Sequence, residues 1–264
     1  MDPIEQFKAN QKVVWSGFAP IENFTALGAP RLVRFAGIRP GSKVLDVGCG
    51  TGVVAITAAR GGAKVTGLDL TPELVARAKE NIALAMVEID LHEGDAEALP
   101  FADGAFDVVV SQFGHMFAPR PDVVVREMVR VLRPGGTIAF STWPSELYTG
   151  RFFQLVGKYG PPPPAGVLSP ALWGDPAVVR ERLGSLVKDI VFDRDVIRLP
   201  TLSPGHTRVF MEANVGPMTK LVKLLEGDPP KLAALRRDFE ELIGLYFEDN
   251  TMRQDYLLTR AVKV

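Results

Sequence analysis

Cysteine is almost missing from this chain: Cys49 stands alone among 264 residues. One thiol excludes an internal disulfide and any zinc site built from several cysteines. An excess of one charge is missing too, since 30 Lys and Arg face 31 Asp and Glu for a net charge of -1. That balance gives no general pull toward nucleic acid or an anionic membrane. No run of about twenty apolar residues occurs, so no membrane-spanning helix is expected. The first residues carry Asp2 and Glu5 without an apolar core, unlike a secretory signal. The expectation is a cytoplasmic protein, monomeric or homodimeric, that binds neither nucleic acid nor membrane.

What is present concentrates in one stretch. Val44-Leu45-Asp46-Val47 reads as a buried strand that breaks into Gly48-Cys49-Gly50-Thr51-Gly52 and then opens a helix. Glycines at alternate positions leave no side chains between backbone and ligand, and they accept the positive φ of a tight turn. The loop feeds a helix N-terminus, where amide groups and the dipole favour a polar or anionic group. A nucleotide-like cofactor therefore belongs across Gly48 to Gly52. A dinucleotide fingerprint would place a third glycine where Val53 stands. Residues 64–68 read as the next strand and end at Asp69, about twenty residues beyond the loop. In nucleotide-binding α/β folds an acid there meets ribose hydroxyls.

Strand-like runs at 44–47, 64–68, 87–92, 106–111 and 137–143 alternate with helical spacing at 51–60, 72–84 and 121–132. Such alternation predicts a doubly wound, mostly parallel sheet with helices on both faces. The ligand loops then share one edge. Residues 190–199 and 254–264 read as two further strands, and helical segments at 207–214, 218–225 and 230–247 lie between them. The whole is read as a single domain: an N-terminal cap (1–29), an α/β core (30–200 and 251–264) and a helical insertion (201–250) placed as a substrate lid. Residues 161–164 are four prolines, a stiff extended stretch expected as a loop wall. Cys49, inside the glycine loop, is read as a packing residue.

Asp46-x-Gly48-x-Gly50-x-Gly52 resembles motif I of class I S-adenosylmethionine (SAM) methyltransferases. Three further segments match in order: Asp69 after the second strand, residues 93–101 after the third, and residues 106–111 with 130–136 around the fourth and fifth. The resemblance spans about residues 40–143 and is similar to the ubiquinone/menaquinone-biosynthesis group. It implies a Rossmann-like fold whose last strand is antiparallel. It also implies SAM as cofactor, with S-adenosylhomocysteine (SAH) as product. The Asp matching Asp95 would take the adenine amino group, and the amide matching Ala96 would reach a ring nitrogen. The cofactor set is Asp46, Gly48, Cys49, Gly50, Gly52, Asp69, Leu70, Asp95, Ala96, Ser111 and Gln112.

Methyl transfer from a sulfonium needs alignment of a nucleophile and exclusion of water, not a metal or a covalent intermediate. The loop 111–117 should face the methyl group. His115 is the candidate general base, because histidine titrates near neutral pH. Trp15, Phe113, His115, Met116 and Tyr148 are the candidate substrate contacts, for an acceptor expected to be an apolar or aromatic small molecule. His92 and His206 are read as structural and solvent-exposed respectively. Ser111-Gln112-Phe113-Gly114 lacks the acidic or Asn residue and paired prolines of amino-methylating DNA enzymes. Two other readings stay open here: a SAM-binding protein without turnover, and a nicotinamide oxidoreductase with an irregular glycine loop.

Overall fold

Val44, Leu45 and Val47 are all buried, as are Val108, Val109 and Val110, so the strands at the centre have no polar face. Such runs demand cover on both sides, which crossover helices supply. The computed structural model describes residues 2–164 and 166–264. Two helices come first, α1 (Pro3–Trp15) and α2 (Glu22–Phe35). The alternating core follows as β1 (Lys43–Val47), α3 (Val53–Arg60), β2 (Lys64–Asp69), α4 (Pro72–Ala85), β3 (Ile89–Glu93), β4 (Phe106–Gln112), α5 (Pro121–Arg130) and β5 (Leu132–Thr142). Then come α6 (Tyr148–Tyr159), α7 (Pro176–Leu183), β6 (Val187–Pro200), α8 (Pro204–Asn214), α9 (Gly216–Leu225), α10 (Pro229–Gly244), β7 (Phe247–Glu248) and β8 (Thr251–Lys263).

The sheet runs β3-β2-β1-β4-β5-β8-β6, with β7 paired to β8. The first five of these strands are parallel. β8 inserts antiparallel between β5 and β6. This is the expected Rossmann-like sheet with an antiparallel last strand. The order reverses between β1 and β4, the switch point where open α/β sheets bind ligands.

Three elements differ from the sequence reading. α2 crosses the expected boundary at residue 29 and carries Pro30 in its interior. Proline forfeits one helical hydrogen bond. Ala29 and Leu32 on either side are wholly buried, and that packing holds the helix together. β5 starts at Leu132 instead of 137, because Leu132 pairs with Phe106 ahead of a register shift. α6 was not expected at all. It carries Tyr148 and Phe152 into a second apolar cluster with Leu221, Phe239 and Ile243 of the insertion. The helical insertion thus has a core of its own, anchored to the sheet edge by α6 and Met252 of β8.

Candidate functional site

β1 delivers the chain into Gly48, Gly50 and Gly52, whose φ values are 65°, 55° and 86°. All three lie in the left-handed region that only glycine occupies without strain. The amides of Gly48 and Cys49 both donate to the Leu68 carbonyl, at 2.8 and 3.0 Å, which ties the loop to β2. The loop after β4 meets it backbone to backbone. A Cβ on Gly114 would stand 2.6 Å from the Gly48 carbonyl oxygen, and one on Gly48 would stand 2.9 Å from Gly114 Cα. Neither position tolerates a side chain, so the two loops form one continuous floor.

A cavity of about 490 Å³ opens above this floor. Its inner end is bordered by Asp46, Asp69, Leu70, Asp95 and Ala96, together with Gly48, Cys49 and Gly50. Asp69 is buried at the end of β2, where it accepts from the amides of Gly50 at 2.8 Å and Thr71 at 2.9 Å. Burial pushes its carboxyl above the ordinary range in spite of those bonds. Asp46 is 1% exposed. One of its oxygens accepts from the Ala55 amide at 3.1 Å. The other, Oδ1, has no partner among the described residues. Burial, with the charge of Asp69 adding to it, pushes Asp46 up to about 7. Burial also raises the Cys49 thiol well above its ordinary value, with both carboxylates adding to the effect. A neutral thiol under the loop is a packing group, not a nucleophile.

The outer end of the cavity is aromatic and uncharged. Phe113 stacks on Trp143 with ring centroids 3.8 Å apart, and Phe24 lies nearly parallel to Trp143 at 6.0 Å. Phe152, Phe153, Met211 and Met252 continue the wall. The polar groups there are neutral amides and hydroxyls. Gln112 donates to the Thr25 carbonyl at 2.6 Å, and Thr149 bonds the Gln254 amide oxygen at 3.3 Å. The Tyr148 hydroxyl donates to the Met211 sulfur at 3.1 Å. Burial holds its pKa above the ordinary phenol value. α1 and the segment after it close one side through Lys8, Gln11, Trp15 and Phe18.

Most residues singled out in the sequence therefore border one cavity, and three, Met116, Ser111 and Gly52, stand elsewhere. His115 is among the residues that border the cavity, but its imidazole makes no polar contact there among the described residues. Its ring is 1% exposed and packs on Phe140 and Trp173, at 4.6 Å from each centroid. Neither of those rings borders the cavity. Both imidazole nitrogens lack partners among the described residues. Burial, with the charge of Arg182 nearby, lowers its pKa to about 3. A base of that strength, turned into the core, is not placed to accept a proton from an acceptor. Met116 is buried and does not border the cavity. Ser111 is also inside the fold: its hydroxyl donates to the Val47 carbonyl at 2.6 Å and accepts from the His115 amide at 3.0 Å. It braces β1 against the loop after β4. Gly52 sits behind the cavity as the left-handed cap of α3. Sequence reasoning missed Lys8, Thr149, Phe152 and Gln254, which lie on elements without motifs.

The comparisons agree with this architecture. The family described as "Methyltransferase domain" matches residues 45–140. An uncharacterized protein from Mycobacterium tuberculosis is 40% identical over 238 residues, covering 89% of this chain and 86% of that one. The demethylmenaquinone methyltransferase of Staphylococcus aureus is 41% identical over 111 residues, which is 41% of this chain and 46% of the enzyme. Among solved structures, the YcgJ protein of Bacillus subtilis superposes with a TM-score of 0.59 at 18% identity, over 90% of this chain and 97% of that one. The phosphoethanolamine N-methyltransferase 2 of Haemonchus contortus, in complex with SAM, gives 0.55 at 21% identity, over 90% of this chain and 52% of that enzyme. The glycine floor, Asp46 in β1, Asp69 at the end of β2 and most of the five parallel strands fall within the matched region, and on these grounds the chain carries a methyltransferase domain of the class I SAM-dependent fold.

Proposed function

We propose that this protein binds SAM across the glycine loop and transfers its methyl group to an uncharged apolar or aromatic small molecule. The observation that carries the cofactor reading is the pair of buried carboxylates, Asp46 and Asp69, one of which has an oxygen without a partner. SAM brings a sulfonium and an ammonium group, and a cation is what an unpaired buried carboxylate favours. A pyrophosphate at the same loop would meet the charge of Asp46 instead, which argues against a dinucleotide. Asp69 fits the ribose hydroxyls, Asp95 the adenine amino group and the Ala96 amide a ring nitrogen. When bound, SAM supplies an electrophilic methyl group on a good leaving group.

The chain's own residues then have two tasks. Phe113, Trp143 and Phe152 exclude water and fix an apolar acceptor beside the inner site, so that proximity and alignment supply most of the acceleration of an in-line displacement. The amides of Gln112 and Gln254 and the Thr149 hydroxyl offer neutral hydrogen bonds to orient it. Among the described residues that border the outer cavity, Tyr148 is held neutral by burial and the His115 ring packs on Trp173, so neither is set up as a base. An acceptor that enters neutral and either needs no deprotonation or gives its proton to water suits this chamber. Calorimetric titration with SAH, run beside NADH, tests the reading. One-to-one binding of SAH alone supports it, and preference for NADH overturns it. Screening phenols, quinols and thiols for SAM consumption then separates an enzyme from a binding protein.

A further inference from the structure

The residue that ties the first helix to the nucleoside end of the cavity is Lys8. It is 6% exposed although it lies in a terminal helix. Its ammonium stands 2.6 Å from Asp95 Oδ2 and 2.8 Å from Glu97 Oε2. Burial alone would lower its pKa, but hydrogen bonds to Asp95 and Glu97 outweigh that and the net shift is upward. Asp95 is fixed from the other side by the Glu97 amide, which donates to Oδ1 at 2.8 Å. Glu97 is in turn held by Arg120, whose amide donates at 2.6 Å and whose guanidinium stands 2.7 Å away.

Lys8, Gln11 and Trp15 recur at i, i+3 and i+7, so one face of α1 looks into the cavity. The Trp15 indole donates to Gln11 at 2.7 Å and its ring meets Phe117 at 4.6 Å. At the far end, Gly216 of α9 packs so closely on Val14 that a Cβ there would collide with the Val14 carbonyl. α1 therefore spans from the nucleoside end to the insertion and roofs the cavity.

We infer that Lys8 is a cofactor-positioning residue: it orients the Asp95 carboxylate toward the adenine amino group and thereby makes closure of α1 and occupancy of the nucleoside site one coupled event. The inference rests on the SAM reading above. Coupling is reciprocal. A cofactor held by Asp95 stabilises the closed helix, and a helix without Lys8 releases the cofactor faster. Lys12 serves as the internal control, because it lies on the same helix and pairs with Glu93 at 3.1 Å outside the cavity.

The experiment is SAH dissociation by stopped flow from the full chain, following tryptophan fluorescence. Lys8→Met should speed dissociation at least tenfold, Lys8→Arg should recover most of the loss, and Lys12→Met should stay within about twofold of wild type. In the wild-type protein SAH should slow hydrogen exchange of the α1 amides, a readout that needs no variant to fold. Unchanged dissociation from Lys8→Met, an equal effect of Lys12→Met, or α1 exchange indifferent to SAH would each overturn the assignment. Failure of the wild-type protein to bind SAH at all would overturn the cofactor reading itself.

Discussion

Replacing Asp46 with asparagine removes a proton that the folded chain holds and the unfolded chain gives up. In the unfolded chain the carboxyl titrates near 3.8, and in the fold near 7. Between those values the native state carries the extra proton, so stability falls as pH rises through the window. At pH 5 the folded carboxyl is protonated, and at pH 8 it is not. With about 1.4 kcal/mol per unit over the two units from 5 to 7, plus rounding at the midpoint, the wild-type chain loses about 2.5 kcal/mol from this group. Asparagine keeps an oxygen for the Ala55 amide and does not titrate. The stability of Asp46→Asn relative to wild type should therefore rise by about 2.5 kcal/mol from pH 5 to pH 8, whatever the other carboxylates contribute to both proteins. Urea unfolding at the two pH values measures this as a relative midpoint shift of about 1 M or more, for slopes of 1–3 kcal/mol/M. Parallel pH dependence in the two proteins would refute the claim that burial holds a proton on Asp46 below about pH 7.

Other substitutions probe the floor, the core and the nucleoside end. Gly114→Ala forces a methyl group into the Gly48 carbonyl and should cost about 1–3 kcal/mol of stability, with loss of SAH binding. Wild-type affinity by calorimetry would contradict the shared floor. His115→Leu removes two buried nitrogens without partners, so thermal unfolding should show unchanged or raised stability, and methyl transfer should keep its pH profile. A turnover loss beyond tenfold in a stable variant would restore His115 to the chemistry. Asp69→Ala should weaken SAH by about 1–3 kcal/mol through lost charged hydrogen bonds, and an unaltered dissociation constant would remove it from the ribose site.

The cofactor half was legible because its constraints are local. Glycines with positive φ and an acid closing β2 each dictate backbone shape within a few residues. The acceptor half was not, because its groups meet only in space. Lys8 finds Asp95 across 87 positions, and Thr149 finds Gln254 across 105. α6 escaped notice because it contains Gly150 and Gly157, residues that weaken a helical reading. Gly150 has a reason of its own, since a side chain there would strike the Pro144 carbonyl. His115 shows a limit of residue type as a guide: histidine at a ligand loop reads as a base, and only the position of Phe140 and Trp173 reveals a ring packed as an aromatic.

The place of β8 also governs the order in which the molecule can assemble. β5 is complete at Thr142 and β6 at Pro200, yet the strand that joins them spans Thr251–Lys263. During synthesis β5 waits with one bare edge and β6 with no partner on either edge while the intervening helices emerge. Bare edges recruit other strands, including those of neighbouring chains. α8, α9 and α10 can gather their own apolar cluster in that interval, but Met252 must arrive before it is sealed. The nascent chain is thus most exposed to misassembly just before its last strand docks, and a break ahead of Thr251 would leave that vulnerability permanent.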